Sequence, residues 1–285
     1  MKTINGFQVL RKVAESNTAE IYHVVRLAGR ARGSEYACKT LREEYARNRV
    51  ERGHLEREYR ICSALEHPNL VHAHDLQLST ARPFLLLDMV PGASLRQRLD
   101  RALPPLATAL RWLAKVADGL AYFHEAGYVH RDVKPQNTVI GDDGQVKVID
   151  FALAVRQDAS LGKHLIRRLA ERRRPGTWSY MSPEQIRNKR LTGLADIYGL
   201  GVTLFEAVTG RLPYSAESSQ ELLEQHLYAP IPPVRSAAPD APDELDDLVR
   251  VMLAKDPLDR PTGMQYVSVK LRSIVAAEDV EDAGQ

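Results

Sequence analysis

The stretch Tyr128 to Asn137 reads Y-V-H-R-D-V-K-P-Q-N and packs an acid, two cations, an imidazole and two amides into one short loop. Such a polar segment between a long amphipathic helix and an apolar hairpin is costly for folding unless its groups have partners or work to do. Asp132 can accept a proton, Lys134 can hold a phosphate oxygen, and Asn137 can offer a metal ion a neutral oxygen. These are parts of a phosphoryl-transfer site.

Upstream of the loop, the chain from Leu106 to about Glu125 keeps Leu106, Leu110, Leu113, Ala117 and Leu120 on one face of a helix. Downstream, T-V-I, G-D-D-G-Q and V-K-V-I-D make a hairpin with an Asp-Gly turn. If the turn occupies Asp142 to Gln145, Gly141 pairs with Val146 and Asn137 comes opposite Asp150. Two oxygen ligands then converge, as a hard divalent cation requires; the alternative is that Asp150 caps a turn.

Nearer the N-terminus the pattern is strand-like: F-Q-V-L-R-K-V, I-Y-H-V-V-R-L and, after a G-R-A-R-G turn, E-Y-A-C-K-T-L. Alternation places Lys39 on one face with Ala37 and Leu41, where an ammonium group needs an anionic partner. From Glu51 to Leu65 the spacing predicts a helix, with Leu55, Glu58, Cys62 and Leu65 on one stripe. Glu58 is a carboxylate among apolar neighbours. Pairing Lys39 with Glu58 resolves both anomalies; the alternative is that each reaches water from the rim of its element. After H-P-N-L-V, the run Pro83 to Leu87 is an apolar strand, and D-M-V-P-G breaks it. Strands first and helices second predict an α+β chain with a small lobe and a larger helical one joined at Asp88 to Gly92.

Residues 152 to 175 read as a long connection with room for a short helix. Its cations Lys163, Arg167, Arg168, Arg172, Arg173 and Arg174 suit a solvated face or, alternatively, a docking surface for an acidic partner. Helices are expected around Ile197 to Thr209, at 243 to 254 and at 263 to 277. The last ten residues, A-A-E-D-V-E-D-A-G-Q, form an acidic tail expected to be frayed or disordered.

Composition narrows the function classes. A formal charge of +2 over 285 residues gives no reason to expect a nucleic-acid partner. Cys38 and Cys62 lack zinc-like or redox-like spacing and read as buried thiols in a reducing compartment. No window has the roughly 18 apolar residues of a membrane span, and M-K-T-I-N-G-F lacks the apolar core of a signal peptide, so a cytoplasmic location is expected.

Taken together, Y-A-C-K, the helical Glu58, H-P-N-L-V, H-R-D-V-K-P-Q-N, D-F-A, S-P-E, D-I-Y-G-L-G and D-P-L-D-R-P resemble the eukaryotic-type protein kinases, in particular their bacterial serine/threonine branch. The resemblance covers about residues 6 to 275 and implies a bilobal kinase-like fold: an N-terminal lobe over 1–87, a hinge at 88–92 and a C-terminal lobe over 93–275, followed by the tail at 276–285. It implies an enzyme that moves the γ-phosphate of ATP, with Mg2+ or Mn2+, to protein hydroxyl groups. Lys39, positioned by Glu58, would hold the α- and β-phosphates. Asp132 would be the base, Lys134 would neutralise the transferred group, and Asn137 with Asp150 would hold the metal. Ile21, Ala37 and Val139 would wall the purine slot, Leu87 would sit behind it, and Asp88 to Val90 would form the hinge. Glu184 with Arg260, and Asp196, match structural positions. Arg131 matches a phosphate-binding position of kinases switched on by phosphorylation, for which Ser160 is the candidate site within 150–176, while Thr177 is a second candidate or, alternatively, a contact of the catalytic loop.

Two departures stand out. Where the family has G-x-G-x-x-G, this chain has A-E-S-N-T-A, with Ala14, Ser16 and Ala19 in place of the glycines. The Ser16 hydroxyl is a candidate donor to phosphate, while the added Cβ atoms restrict the loop. In D-F-A, Ala152 replaces a glycine, which is harmless at negative φ and costs about 1 kcal/mol at positive φ. These departures favour an alternative reading as a pseudokinase that binds nucleotide or a partner without chemistry.

Overall fold

The computed structural model describes residues 3–29, 32–157 and 178–283, with backbone alone for 279–283. Ser160, Thr177, the basic run and the short helix expected there lie outside the described residues. The chain divides into two compact units, Met1–Gly92 with Ile149–Leu153, and Ala93–Val148 with Ala154–Gln285.

The first unit is built on a six-stranded antiparallel sheet. Its strands are β1 (Thr3–Ile4), β2 (Phe7–Glu15), β3 (Ala19–Arg26), β4 (Glu35–Leu41), β5 (Ala73–Gln77) and β6 (Phe84–Asp88), in the order β1-β2-β3-β4-β6-β5. Ile, Tyr and Val in β3 and Phe and Leu in β6 fit a pleated, half-buried surface. Phe7, Tyr22, Val24, Cys38, Phe84 and Leu86 form one core cluster. Ile21, Ala37 and Lys39 are only partly buried. Helix α1 (Arg49–Cys62) packs on β5 and β6. Asn48 starts it by accepting the amides of Val50 and Glu51, a cap that places the start two residues before the sequence expectation. The helix also ends earlier than expected, leaving Leu65 beyond it.

The second unit begins with β7 (Gly92–Ser94) at the junction, α2 (Leu95–Leu99) and the long α3 (Leu106–Glu125). Then come β8 (Tyr128–Val129), β9 (Thr138–Gly141), β10 (Val146–Val148) and β11 (Val155–Arg156), which pairs with β8. The helices α4 (Pro183–Ile186), α5 (Gly193–Thr209), α6 (Ser219–Tyr228), α7 (Asp243–Met252) and α8 (Met264–Ala283) follow. Central to the unit is α5, buried nearly all round, with Thr192 capping the Leu194 amide. An ideal Cβ on Gly201 would lie 2.9 Å from Cβ of Met252, so only glycine lets α5 and α7 approach this closely.

Four sequence expectations are corrected. The β9–β10 hairpin pairs Ile140 with Val146 and Thr138 with Val148, one residue off the expected register. Asp143 accepts the Gln145 amide inside the turn and the Gly141 amide bonds Gln145 O, so the turn is one residue shorter than expected and the return strand closes one residue sooner. Asn137 therefore does not pair with Asp150 across the hairpin. Residues 155–156 are a strand rather than part of an irregular connection. Helix α6 was not expected, its start being marked only by Ser218, which accepts the Glu221 amide. Finally, the acidic 276–283 stretch is not frayed: it continues α8, which extends to Ala283.

Candidate active site

Lys39 lies on β4, where strand alternation turns its side chain to the face shared with Ile21, its cross-strand neighbour. Its Nζ is 2.6 Å from Oε2 of Glu58 on α1 and 3.0 Å from Oδ1 of Asp150. Burial opposes charge on the ammonium group, but Asp150 and Glu58 outweigh it and raise the Lys39 pKa well above its ordinary value. For Glu58, with only 1% of its side chain exposed, burial is the larger influence and pushes the carboxyl upward despite Lys39. The ion pair that the sequence anomalies called for is present, and Asp150 is a third member.

Asp150 adopts a left-handed backbone with φ of +66°, whereas Ala152 is not among the described residues with positive φ. The Cβ of Ala152 is thus accommodated without the strain that a left-handed conformation brings. Helix α1 holds this segment through adjacent side chains. Arg57 donates to the Ala152 carbonyl at 2.9 Å, and Glu58 takes a backbone hydrogen bond from Phe151.

The turn at the glycine-like positions is closed on itself. The Ser16 amide donates to Ala19 O at 2.7 Å, the Ser16 hydroxyl donates to the same oxygen at 3.1 Å, and the Ala19 amide donates back to that hydroxyl at 2.9 Å. The Ser16 proton expected to meet phosphate is therefore engaged within the turn. Ala14 is exposed and Ala19 buried. At the other end of the sheet, Leu87 is buried opposite Ala37. Asp88 turns its carboxylate to the His72 amide and to His74 Nε2, so its side chain serves β5.

In the second unit, the loop quoted above is organised around Asp132. Lys134 Nζ lies 2.7 Å from its Oδ2, and Asn137 Nδ2 donates to both Oδ2, at 3.0 Å, and the Asp132 carbonyl, at 2.8 Å. The loop backbone is held from beneath by Asp196 on α5, which accepts the amides of His130 at 2.7 Å and Arg131 at 2.8 Å and also His124 Nε2 at 2.8 Å. Burial would raise the Asp196 pKa, but the bond from His124 and the other donors hold it below the ordinary carboxylate value. His124 was missed in the sequence, although it continues the Leu113, Ala117, Leu120 stripe of α3 as a polar residue on an apolar face. Arg131 is buried at φ of +72°, with its carbonyl bonded by Gln185. Glu184 and Arg260 form a two-pronged buried pair at 2.7 and 2.9 Å, and Arg260 also holds the Leu194 carbonyl. Val139 on β9 is partly buried.

Asn137 spends its N–H groups on Asp132, which leaves its neutral Oδ1 as a candidate oxygen for a hard divalent cation. In the first unit, the Asp150 carboxylate that bonds Lys39 has a side chain that is 40% exposed.

Residues 7–271 match the protein kinase domain family. The chain belongs to this family. Among its relatives, the serine/threonine-protein kinase PrkC of Bacillus subtilis is 32% identical over 99% of this chain, and PknL of Mycobacterium tuberculosis is 33% identical over 94%. This kinase domain spans 42% of the length of the first and 65% of the second. A crystal structure of the Mycobacterium tuberculosis PknI kinase domain superposes with a TM-score of 0.70 and 25% identity, covering 96% of this chain and 98% of that one. No described helix of the kinase domain is long and apolar enough to cross a membrane.

Proposed function

We propose that this domain transfers the γ-phosphoryl group of ATP to serine or threonine hydroxyls of proteins. The observation that carries the proposal is the Asp132 carboxylate, fixed through Oδ2 by Lys134 and Asn137 so that Oδ1 remains to take a proton. As the substrate O–H bond breaks, its proton passes to Asp132 and the oxygen bonds the γ-phosphorus. The bond from that phosphorus to the β–γ bridging oxygen breaks, and ADP leaves with the electron pair. Lys134 neutralises charge on the moving group, and Lys39, oriented by Glu58, holds the α- and β-phosphates. Asn137 and Asp150 would hold Mg2+, which when bound neutralises phosphate charge. Ile21, Ala37, Leu87 and Val139 would enclose the purine, with the Asp88 to Val90 backbone as its polar edge.

The serine/threonine preference is supported by Lys134 standing two residues after Asp132, and by the names of the relatives. The buried free thiols Cys38 and Cys62 support a cytoplasmic setting. Control by phosphorylation of Ser160 or Thr177 through Arg131, and an acidic partner for the basic run, belong to the same proposal on sequence grounds.

The test is transfer of radiolabelled γ-phosphate from Mg-ATP to the protein itself and to a generic basic protein. Transfer is expected, and Asp132→Asn should eliminate it while leaving the circular dichroism spectrum and melting temperature in place. The closed Ser16 turn is the observation that favours the second reading, a pseudokinase; Mg-ATP binding without any transfer by the unaltered protein would establish it.

A further inference from the structure

Glu15 and Glu20 face each other directly across the β2–β3 hairpin, a destabilising pairing of like charges where the strands meet the Ser16–Ala19 turn. Three cations resolve it. Lys12 bonds both carboxylates, Arg82 takes Glu20 at 2.7 Å, and Arg42 takes Glu15 at 3.0 Å. Lys12 and Arg82 depress the Glu20 pKa to about 2, so that its pairs persist throughout the neutral range.

Arg42 does more than neutralise charge. Its Nε donates to the Ser16 carbonyl at 2.9 Å, its backbone amide donates to the Thr18 carbonyl at 2.9 Å, and its Nη2 reaches Glu15. Three successive parts of the hairpin end are thus held by one residue. That residue directly follows β4, the strand that carries Lys39. We propose that Arg42 is a positioning residue for nucleotide: it ties the Ser16–Ala19 turn to the Lys39 strand, so this chain covers the triphosphate with a pre-formed turn where its family pattern has a mobile glycine loop. This role rests on the turn being the phosphate cover.

A glycine loop gains its grip by ordering around phosphate, which costs conformational entropy at the moment of binding. Here Ala14, Ser16 and Ala19 narrow the accessible backbone states, the Ser16 side chain closes the turn, and the Arg42 fork fixes its direction. The ordering is completed in folding, so binding no longer bears it. Lysine at position 42 would keep the charge and lose the fork, because one ammonium group cannot reproduce the two side-chain bonds in fixed geometry.

The experiment measures backbone amide exchange at Ser16 and Ala19 in the free protein, and Mg-ATP binding by calorimetry, for the unaltered chain, Arg42→Ala and Arg42→Lys. Melting temperature serves as the check of folding. In Arg42→Ala both amides should exchange about tenfold faster and the Mg-ATP Kd should rise about tenfold, the scale of a lost hydrogen bond to a charged group, with Arg42→Lys in between. Unchanged exchange would overturn the tie, and faster exchange with an equal or lower Kd would overturn its role in positioning nucleotide. Neither readout needs phosphate transfer. An unaltered protein that binds Mg-ATP without transferring phosphate therefore overturns only the catalytic reading, whereas one that binds no Mg-ATP overturns the nucleotide role and leaves exchange to report on the tie.

Discussion

Arg57 donates from Nη1 to the carbonyl oxygen of Ala152 across 2.9 Å, so helix α1 holds the backbone of the D-F-A segment. Its neighbour Glu58 takes Lys39 Nζ and the Phe151 amide. Two consecutive side chains thereby bind two consecutive backbone groups, and the orientation of Asp150 becomes linked to that of α1. Arg57→Ala should lower the phosphate-transfer rate about tenfold, the value of one charge-assisted bond, with little change in melting temperature. Steady-state kinetics of Arg57→Ala beside Arg57→Lys would check this; equal rates for all three proteins would show that the bond does not matter.

Ala152→Gly tests the backbone state of the same segment. Since Ala152 is not at positive φ, glycine there gains nothing in the folded chain and adds freedom to the unfolded one. Denaturant unfolding should show a loss of about 0.5–1 kcal/mol. A gain in stability would mean that the segment needs glycine.

Lys39 and Glu58 should be strongly coupled in stability. Lys39→Met leaves a carboxylate that is 1% exposed without its partner at 2.6 Å, which should cost about 3 kcal/mol. Adding Glu58→Leu to Lys39→Met should recover at least half of that loss, because no buried charge is then stranded. Urea unfolding of the four proteins of the cycle measures the coupling, and a double variant no more stable than Lys39→Met alone would contradict it.

Acid should weaken the protein through His226. This imidazole is fully buried beside Tyr198, Tyr214 and Lys255, and burial, reinforced by the Lys255 charge, lowers its pKa from 6.5 to about 3. Between pH 6.5 and 3 the unfolded chain binds the proton and the folded chain does not. The stability contribution is complete above pH 6.5 and is lost by about 1.4 kcal/mol per pH unit as pH falls through that window. Unfolding free energies from pH 7 to 4 should show a shallower slope in His226→Leu than in the unaltered protein.

Gly199→Ala should disturb the catalytic loop from below. A Cβ there would lie 3.0 Å from the Val133 carbonyl oxygen and 3.2 Å from its Cβ, and Val133 stands between Asp132 and Lys134. The expected loss is about 1–3 kcal/mol of stability, as for other overpacked contacts, together with a slower transfer rate. Ordinary stability and ordinary rate together would contradict this packing.

Much of the architecture was legible because its signals are local. The period of Leu106, Leu110, Leu113, Ala117 and Leu120 marks α3, and its bounds match the expected ones. Glu58 on an apolar stripe and Lys39 on a strand face called for one another, since neither is stable buried and alone. The same rule applied to His124 would have found its bond to Asp196, 72 residues away. The hairpin register was missed because Asp143 and Gly141 choose how the turn closes, and a single hydrogen bond there moves every later pair by one residue.

By itself the sequence determined the succession of a strand-rich part and a helical part, the loop from Tyr128 to Asn137 with its acid, lysine and amides, and the absence of glycine at positions 14, 16 and 19. Periodicity and side-chain chemistry act over a few residues, and a single chain displays them fully. Only the tertiary structure decided that Ser16 spends its hydroxyl on its own turn, that Arg42 ties this turn to the Lys39 strand, and that Arg57 holds Ala152. Those bonds join residues 26 and 95 positions apart in two of the three cases, and long flexible cations such as arginine have many acceptors within reach until packing selects one.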